Sequence, residues 1–280
     1  MNEMIWTASV RQDKYVELVK ERDRLRKEAF QCRQEYIRVF GEQILKVFEK
    51  KIECIRKKKM IAYCQAAINR GEAIDQTALQ AYLAKEMKEY QKQLKEMVKE
   101  NEDAQSKGEV TQAELMKIKK TYHRIAKRIH PDIFPCTQEE PVLMELWNRT
   151  SAAYACNDLE TLIQCEMLIN KALDELGIDV ESIDIPDIEE KIKALEEEIL
   201  KIRETDPYQY KYLLEDEEAV AEKKASLEEE LKSYEEYDEQ LEALLAEVMG
   251  NGGVIAWQMN CRRRSAVWWQ WWTAEKSATC

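Results

Sequence analysis

Turn-forming residues are scarce in this chain, which has seven glycines and five prolines among its 280 residues. These two residue types supply most tight turns, and an average protein of this length carries about three times as many. Sheet proteins need many such turns, so an all-β or doubly wound α/β fold fits poorly. Charged residues make up 35% and hydrophobic residues 45% of the chain, as in amphipathic helices with solvated outer faces. The composition predicts an all-α protein built from elongated helical hairpins.

The charges are unevenly distributed. The formal net charge is −12, but residues 1–70 contain 17 Lys or Arg against 10 Asp or Glu, whereas residues 186–249 contain 8 against 22. The overall acidity argues against nucleic-acid binding by the whole chain, and no nucleic-acid partner is expected. The basic and acidic segments could be solvated helix faces, could dock on each other, or the basic segment could contact an acidic partner.

The eight cysteines are not arranged in the closely spaced pairs of a zinc module, and the chain has only two histidines. No metal and no cofactor is therefore expected. No apolar signal segment follows Met1, and no stretch of about 20 apolar residues is present. These features predict a cytoplasmic protein with reduced thiols.

Residues 1–106 predict an N-terminal helical hairpin. The first helix is expected over 10–70, where apolar residues recur at spacings of three and four. Gly71 is placed to end this helix, and Asp75 to begin a second one over about 76–104.

Residues 111–176 form the second predicted domain. Thr111 and Glu114 have the spacing of a capping box, so a helix should begin at about 112. It should end near Ile129, because Pro131 disfavours helical geometry in the residue before it. Two further helices should follow the loop, over 141–156 and 158–176.

Heptad spacing marks the acidic segment. Apolar residues step by four and three along 188–202 and by seven along 213–248, with Lys224 and Asp238 interrupting the second seam. This pattern predicts a C-terminal antiparallel coiled-coil hairpin over 186–249.

The last segment, 250–280, has a different composition. It contains five of the seven tryptophans, beside three consecutive arginines at 262–264. This tail is either a peripheral membrane contact, since tryptophan favours membrane interfaces and the arginine cluster favours anionic lipid, or an unstructured or aberrant terminus.

One segment contains a motif in addition to the periodicity of a helix. Residues 117–132 read KIKKTYHRIAKRIHPD. One face is an apolar stripe of Leu115, Ile118, Tyr122, Ile125 and Ile129. The opposite face is basic and consists of Lys117, Lys120, Arg124, Lys127 and Arg128. The tripeptide His130-Pro131-Asp132 follows immediately.

In these features the segment resembles the J domain of DnaJ-like co-chaperones, where a basic second helix ends in a His-Pro-Asp loop and a third helix returns antiparallel to it. Tyr122, Arg124 and Ile125-Ala126 match the family pattern on the second helix. Trp147 and Ala153-Tyr154 match it on the third, and the resemblance covers about 50 residues. It implies a J-domain core of Leu115, Ile118, Ile125, Ala126, Ile129, Trp147, Ala153 and Tyr154.

The resemblance implies a binding function with no chemistry by the chain itself, so no enzyme activity is expected. J domains bind a DnaK-type ATPase chaperone and stimulate its ATP hydrolysis. A basic helix suits an acidic groove, and Asp132 could meet an arginine of the partner. The helical arms would serve for targeting or for contact with a client protein. The implied partner-binding residues are His130, Pro131, Asp132, Tyr122, Arg124, Lys120, Lys127 and Arg128.

The chain also departs from the family. The signature of the family's short first helix is absent before Thr111, and no Gly/Phe-rich linker or cysteine-rich zinc repeats follow the J-like segment. Ile133 stands where a basic residue is often found. The sequence therefore predicts an atypical member, in which helix 76–104 or the acidic hairpin takes over the packing of the first helix.

A second interpretation is a structural scaffold that retains the J fold only as a packing or protein-interaction module. The two interpretations predict different surfaces. In a co-chaperone, Pro131 and Ile133 should lie in an open loop and the basic face of 117–128 should be exposed. If the acidic hairpin covers that face, autoinhibition is the expected interpretation.

Overall fold

The computed structural model describes residues 2–106, 110–178 and 187–250. These residues form ten α-helices and no strands, which confirms the all-α prediction. Apart from Gly250, the tail for which a membrane contact was considered lies outside the described residues. The helices are α1 (Asn2–Asn69), α2 (Gln76–Glu86), α3 (Lys88–Ser106), α4 (Gln112–Ile129), α5 (Cys136–Glu139), α6 (Pro141–Ala155), α7 (Leu159–Leu176), α8 (Ile188–Glu204), α9 (Tyr210–Glu215) and α10 (Glu217–Gly250).

The chain divides into two compact units, and α1 contributes to both. The first unit consists of Met1–Gly41 and Glu100–Lys223, and the second of Glu42–Lys99 and Lys224–Cys280. This division does not follow the segment boundaries that the sequence suggested, because α1, α3 and α10 each pass from one unit into the other.

The helix ends around the J-like segment follow the local sequence. Thr111 Oγ1 accepts from the Glu114 amide at 3.3 Å, and the Glu114 carboxylate accepts from the Thr111 amide at 3.0 Å, so the predicted capping box begins α4. As predicted, α4 ends at Ile129, before Pro131. Gly177 ends α7 in the left-handed conformation, with φ of 61°.

Three helices of the first unit, α4, α6 and α7, enclose a common apolar core. Its members include all but one of the predicted J-domain core residues. The exception is Leu115, which is half-buried and is not part of this cluster. The cluster's buried residues are Ile118, Tyr122, Ile125, Ala126, Ile129, Leu143, Trp147, Ala153, Tyr154, Leu162, Cys165, Ile169, Ala172 and Leu173.

In the first unit, α8 lies along α1 and runs parallel to it. Ion pairs repeat at heptad spacing: Lys14 with Glu196, and seven residues further Glu21 with Arg203. Beside the first of these pairs, Ile192 and Leu195 of the predicted seam cluster with Tyr15 and Val19 of α1. Ile199 joins a second cluster with Leu25 and Ala29.

In the second unit, α10 contacts the later part of α1. Lys50 Nζ lies 3.0 Å from Asp238 Oδ2, and Lys57 Nζ lies 2.8 Å from Asp238 Oδ1 and 3.2 Å from Glu242 Oε2. The Cys54 thiol donates to the Tyr234 carbonyl at 3.4 Å. These contacts place residues 50–57 of α1 beside residues 234–242 of α10.

The antiparallel hairpin expected over 186–249 is therefore not what these contacts indicate. The heptad positions of α8 and those of α10 contact α1 in the clusters and bonds described above. The physical reason is charge: α1 carries the excess of Lys and Arg, and α8 and α10 carry the excess of Asp and Glu. Docking of the basic segment on the acidic one, one of the three alternatives above, is what the ion pairs within each unit support.

Among the helices described, none has a stretch long and apolar enough to cross a membrane.

Candidate functional site

The His-Pro-Asp loop leaves the C-terminus of α4. The His130 amide makes the last bond of the helix, to the Ala126 carbonyl at 3.0 Å. The His130 carbonyl then accepts from the amides of Ile133 at 2.9 Å and Phe134 at 2.7 Å. These bonds turn the chain into the short helix α5, so the tripeptide is held in a tight, hydrogen-bonded turn.

Aromatic residues attach α6 to α4 beneath this loop. The Tyr122 and Tyr154 rings stack with centroids 3.8 Å apart, and the His130 and Trp147 rings lie 4.4 Å apart. Residue 122 thus meets 154 while residue 130 meets 147, so α6 returns antiparallel to α4. This is the helix–loop–helix arrangement that the resemblance implied.

The predicted basic face of α4 is largely exposed. Lys117, Lys120 and Lys127 are exposed, as the co-chaperone interpretation requires. Arg124 is exposed but forms a two-pronged pair with Glu166 of α7, at 2.7 and 2.8 Å. Arg128 is half-buried and donates to the Asn170 side chain. The three lysines therefore present the available positive charge.

The loop itself is covered, so the expectation of an open loop is wrong. Only 2% of His130 and 3% of Ile133 is exposed, and Pro131 is also buried. Tyr122, which the resemblance placed among the partner-binding residues, is 3% exposed and faces α1. Asp132 is half-buried. The covering element is α1, which brings two buried charged residues onto the loop.

Arg22 and Asp23 of α1, called here the Arg22–Asp23 pair, make the polar contacts to the loop. Arg22 Nη1 donates to Asp132 Oδ2 at 2.5 Å, and its Nη2 and Nε donate to Asp23 Oδ1 at 2.9 and 3.2 Å. Asp23 Oδ2 accepts from the Tyr122 hydroxyl at 2.6 Å and lies 3.1 Å from His130 Nε2. Tyr15 of α1 adds a hydrogen bond to the Asp132 carbonyl at 3.1 Å.

The hydrogen bonds assign the His130 tautomer. The Asp132 amide donates to Nδ1 at 3.0 Å, so this nitrogen carries no proton in neutral histidine. Nε2 therefore carries the proton and donates it to Asp23 Oδ2. Arg22 Nη2 lies 3.2 Å from Nε2, a contact between two hydrogen-bearing nitrogens. Both ring nitrogens of His130 are thus engaged, and neither faces a nucleophile that it could activate.

The network shifts the pKa values of its members. Burial raises the pKa of Asp23, but the hydrogen bond from His130 and the charge of Arg22 outweigh burial and lower it to about 2. Burial, then the charge of Asp132, raises the pKa of Tyr15 to about 12. Burial and the adjacent Asp23 also raise the pKa of Tyr122 well above its ordinary value. Asp23 is therefore held ionised and the tyrosines neutral at physiological pH.

The loop packs against α1, and α8, the first helix of the acidic segment, contributes to the contact. Ile133 is buried in a cluster with Tyr15 and Val19 of α1 and Ile192 and Leu195 of α8. Lys27 of α1 lies over the Tyr154 ring, its Nζ 4.0 Å from the ring centre, and burial lowers its pKa to about 8.

A cleft of about 470 Å³ opens beside the covered loop. Its lining includes Arg22, Arg26, Pro131, Asp132 and Trp147. The Asp132 side chain is 32% exposed, so its carboxylate remains accessible to water next to the cleft. Within the described residues, no group of three or more His, Cys, Asp or Glu side chains is placed to hold a metal ion.

Sequence reasoning missed Arg22, Asp23 and Tyr15. The signal lay in the apolar stripe of α1, where Tyr15, Val19 and Arg22 follow at spacings of four and three. A charged residue on such a stripe is buried on folding and needs an opposite charge. Its partner, Asp132, lies 110 residues away, so local pattern alone could not identify it.

Comparisons of the chain with protein-family models, with curated proteins and with solved structures found no match.

Proposed function

We propose that this chain is an atypical J-type co-chaperone, which docks on a DnaK-type chaperone and stimulates its ATP hydrolysis. One observation carries the proposal: the exposed lysines of α4 lead directly into a His-Pro-Asp turn that an antiparallel α6 supports. A row of cations beside a loop with a carboxylate offers two charge contacts in fixed relation. Such a surface suits an acidic groove bordered by an arginine.

Docking through exposed lysines should be fast, weak and sensitive to salt. Charges on the surface interact over about 8 Å at physiological ionic strength, and complementary charges act mainly on the rate of association. Stimulation of the chaperone should therefore fall as salt rises from about 50 to about 250 mM.

The test is ATP hydrolysis by a DnaK-type chaperone in the presence of the full chain. Wild type should raise the rate severalfold, and His130→Gln should abolish the increase. Because His130 is buried and bonded to Asp23, that substitution also affects packing. The double variant Lys120→Glu/Lys127→Glu avoids this problem, since both lysines are exposed, and it should remove most of the increase.

Lys171→Glu is the matched control. Lys171 is 73% exposed on α7 and belongs to the same unit. The Lys171→Glu substitution should leave the stimulation of ATP hydrolysis at the wild-type level. No stimulation by wild type, or equal loss in the control and the α4 variant, would contradict the proposal.

A second candidate function is a scaffold in which the J-like helices serve only for packing. The burial of His130, at 2% exposed, favours this candidate. The co-chaperone and scaffold candidates predict different rates of ATP hydrolysis by the chaperone. A packing module leaves this rate unchanged at every concentration of the chain, even when a substitution in α1 uncovers the loop.

A further inference from the structure

We propose that α1 masks the His-Pro-Asp loop and that Arg22 must leave Asp132 before a chaperone can bind there. This inference rests on the proposed function and concerns the regulation of the same site. The basic face and the loop differ in accessibility, because the lysines of α4 are exposed and the tripeptide beside them is not.

Arg22 occupies the carboxylate that a partner would need. Its Nη1 lies 2.5 Å from Asp132 Oδ2, so a partner cation that takes the same position on this oxygen has to displace the guanidinium. Arg22 is itself fixed by two hydrogen bonds to Asp23 Oδ1. The competing group is therefore already oriented, and ordering it requires no further loss of side-chain freedom.

The mask is broader than one ion pair. Tyr15 binds the Asp132 carbonyl, and Ile133 is enclosed by residues of α1 and α8. A partner that reaches the loop must separate these surfaces as a unit. Several ion pairs that join α1 to α8 are half-exposed or exposed, among them Arg11–Glu189 and Lys14–Glu196. Such pairs contribute little to stability, so they do not prevent release of the covering helix.

The cleft beside the loop shows where displacement would begin. It is lined by both Arg22 and Asp132, and the Asp132 side chain is one-third exposed. A partner cation can approach the free side of this carboxylate while Arg22 is still bound. Docking on the exposed lysines would hold the partner near the cleft, and exchange of the two cations would follow.

The test substitutes Arg22→Met, which keeps an unbranched side chain in the buried position and removes the donors. Arg24→Met is the control, since Arg24 is exposed on the same helix. Two measurements are made on the full chain: acylation of His130 by diethyl pyrocarbonate, mapped by mass spectrometry, and stimulation of ATP hydrolysis by a DnaK-type chaperone. Arg22→Met should raise both severalfold above wild type, and Arg24→Met neither.

Tyr15→Phe is the milder second variant, for the case that Arg22→Met does not fold. It removes only the hydroxyl that binds the Asp132 carbonyl, and it should raise both quantities to a smaller extent. If His130 becomes no more reactive in the folded variants, Arg22 and Tyr15 do not hold the mask. If His130 becomes reactive while stimulation stays at a measurable wild-type level, masking is overturned and the proposed function stands. If no variant stimulates hydrolysis although His130 reacts, the proposed function fails and masking of a chaperone site fails with it.

Discussion

Arg22 Nη1 of α1 lies 2.5 Å from Asp132 Oδ2, in a loop 110 residues later in the chain. This hydrogen bond connects α1 with the His-Pro-Asp tripeptide. The resemblance to the J-domain family depends on the tripeptide, whereas α1 carries none of the matching residues. Arg22 is 6% exposed and Asp23 beside it is 8% exposed, so both charges are buried and depend on each other and on the loop. The same contacts thus stabilise the first unit and limit access to the loop.

The Arg22–Asp23 pair should contribute strongly to the stability of the first unit. Asp23→Asn removes a buried charge that binds Arg22, Tyr122 and His130, and we expect a loss of about 3 kcal/mol in the free energy of unfolding. Hydrogen exchange of the α4 amides measures this loss in the first unit alone. Asp13→Asn, at an exposed position of the same helix, should change exchange by less than about 0.5 kcal/mol. Equal effects of the two substitutions would contradict this prediction.

Acid should weaken the same unit through Asp23. Its pKa is lowered from 3.8 to about 2 on folding, so its contribution to stability is complete above the unfolded value. The contribution is lost as the pH falls through the folded value, and it amounts to about 2 kcal/mol. The difference in stability between wild type and Asp23→Asn should therefore shrink between about pH 4 and about pH 2. A difference that stays constant over this range would show that Asp23 does not titrate as described.

Asp238 in α10 should stabilise the second unit through its two lysines. Burial raises the pKa of Asp238, but hydrogen bonds from Lys57 and Lys50 outweigh burial and lower it. Asp238→Asn leaves both lysines without this carboxylate. We expect the free energy of unfolding, measured in urea, to fall by about 1 to 2 kcal/mol. Glu239→Gln, at the exposed neighbouring position, is the control and should have little effect. Equal free energies of unfolding for the two variants would mean that the Asp238 carboxylate does not stabilise the second unit.

Because Gly41 packs closely against Asn101 of α3, the effect of Gly41→Ala on stability should depend on Asn101. A Cβ at Gly41 would clash with Asn101 Oδ1 and would lie 3.1 Å from Ile37 Cγ2. In wild type, the Asn101 side chain has to move to make room for the new methyl group, so Gly41→Ala should gain less than the about 1 kcal/mol by which alanine favours a helix over glycine. In an Asn101→Ala background the main clash is absent, and the same substitution should stabilise. Thermal unfolding of the four variants measures this coupling, and additive effects would contradict it.

The local sequence predicted the helix boundaries well, because they depend on neighbouring residues. Thr111 and Glu114 cap α4, and Pro131 ends it at Ile129. The apolar stripe of α4 likewise identified most of the J-like core. These features need only spacings of three and four residues, which a sequence displays directly.

The pairing of the long helices was harder to predict. Heptad spacing along 188–248 shows that each seam requires a partner but does not say which helix supplies it. The partner is α1, whose Tyr15 and Val19 meet Ile192, and whose Lys50 meets Asp238. The cover over the loop follows from the same pairing, so the exposure of Pro131 could not be judged from the tripeptide itself.

Hydrogen exchange of the full chain, with and without the ATP-bound form of a DnaK-type chaperone, reports on both docking at α4 and release of α1. If the chain docks through α4 and the loop after release of α1, the amides of α4 should exchange more slowly and those of residues 12–30 of α1 faster when the chaperone is added. Unchanged exchange in both helices at saturating chaperone would contradict both docking through α4 and release of α1.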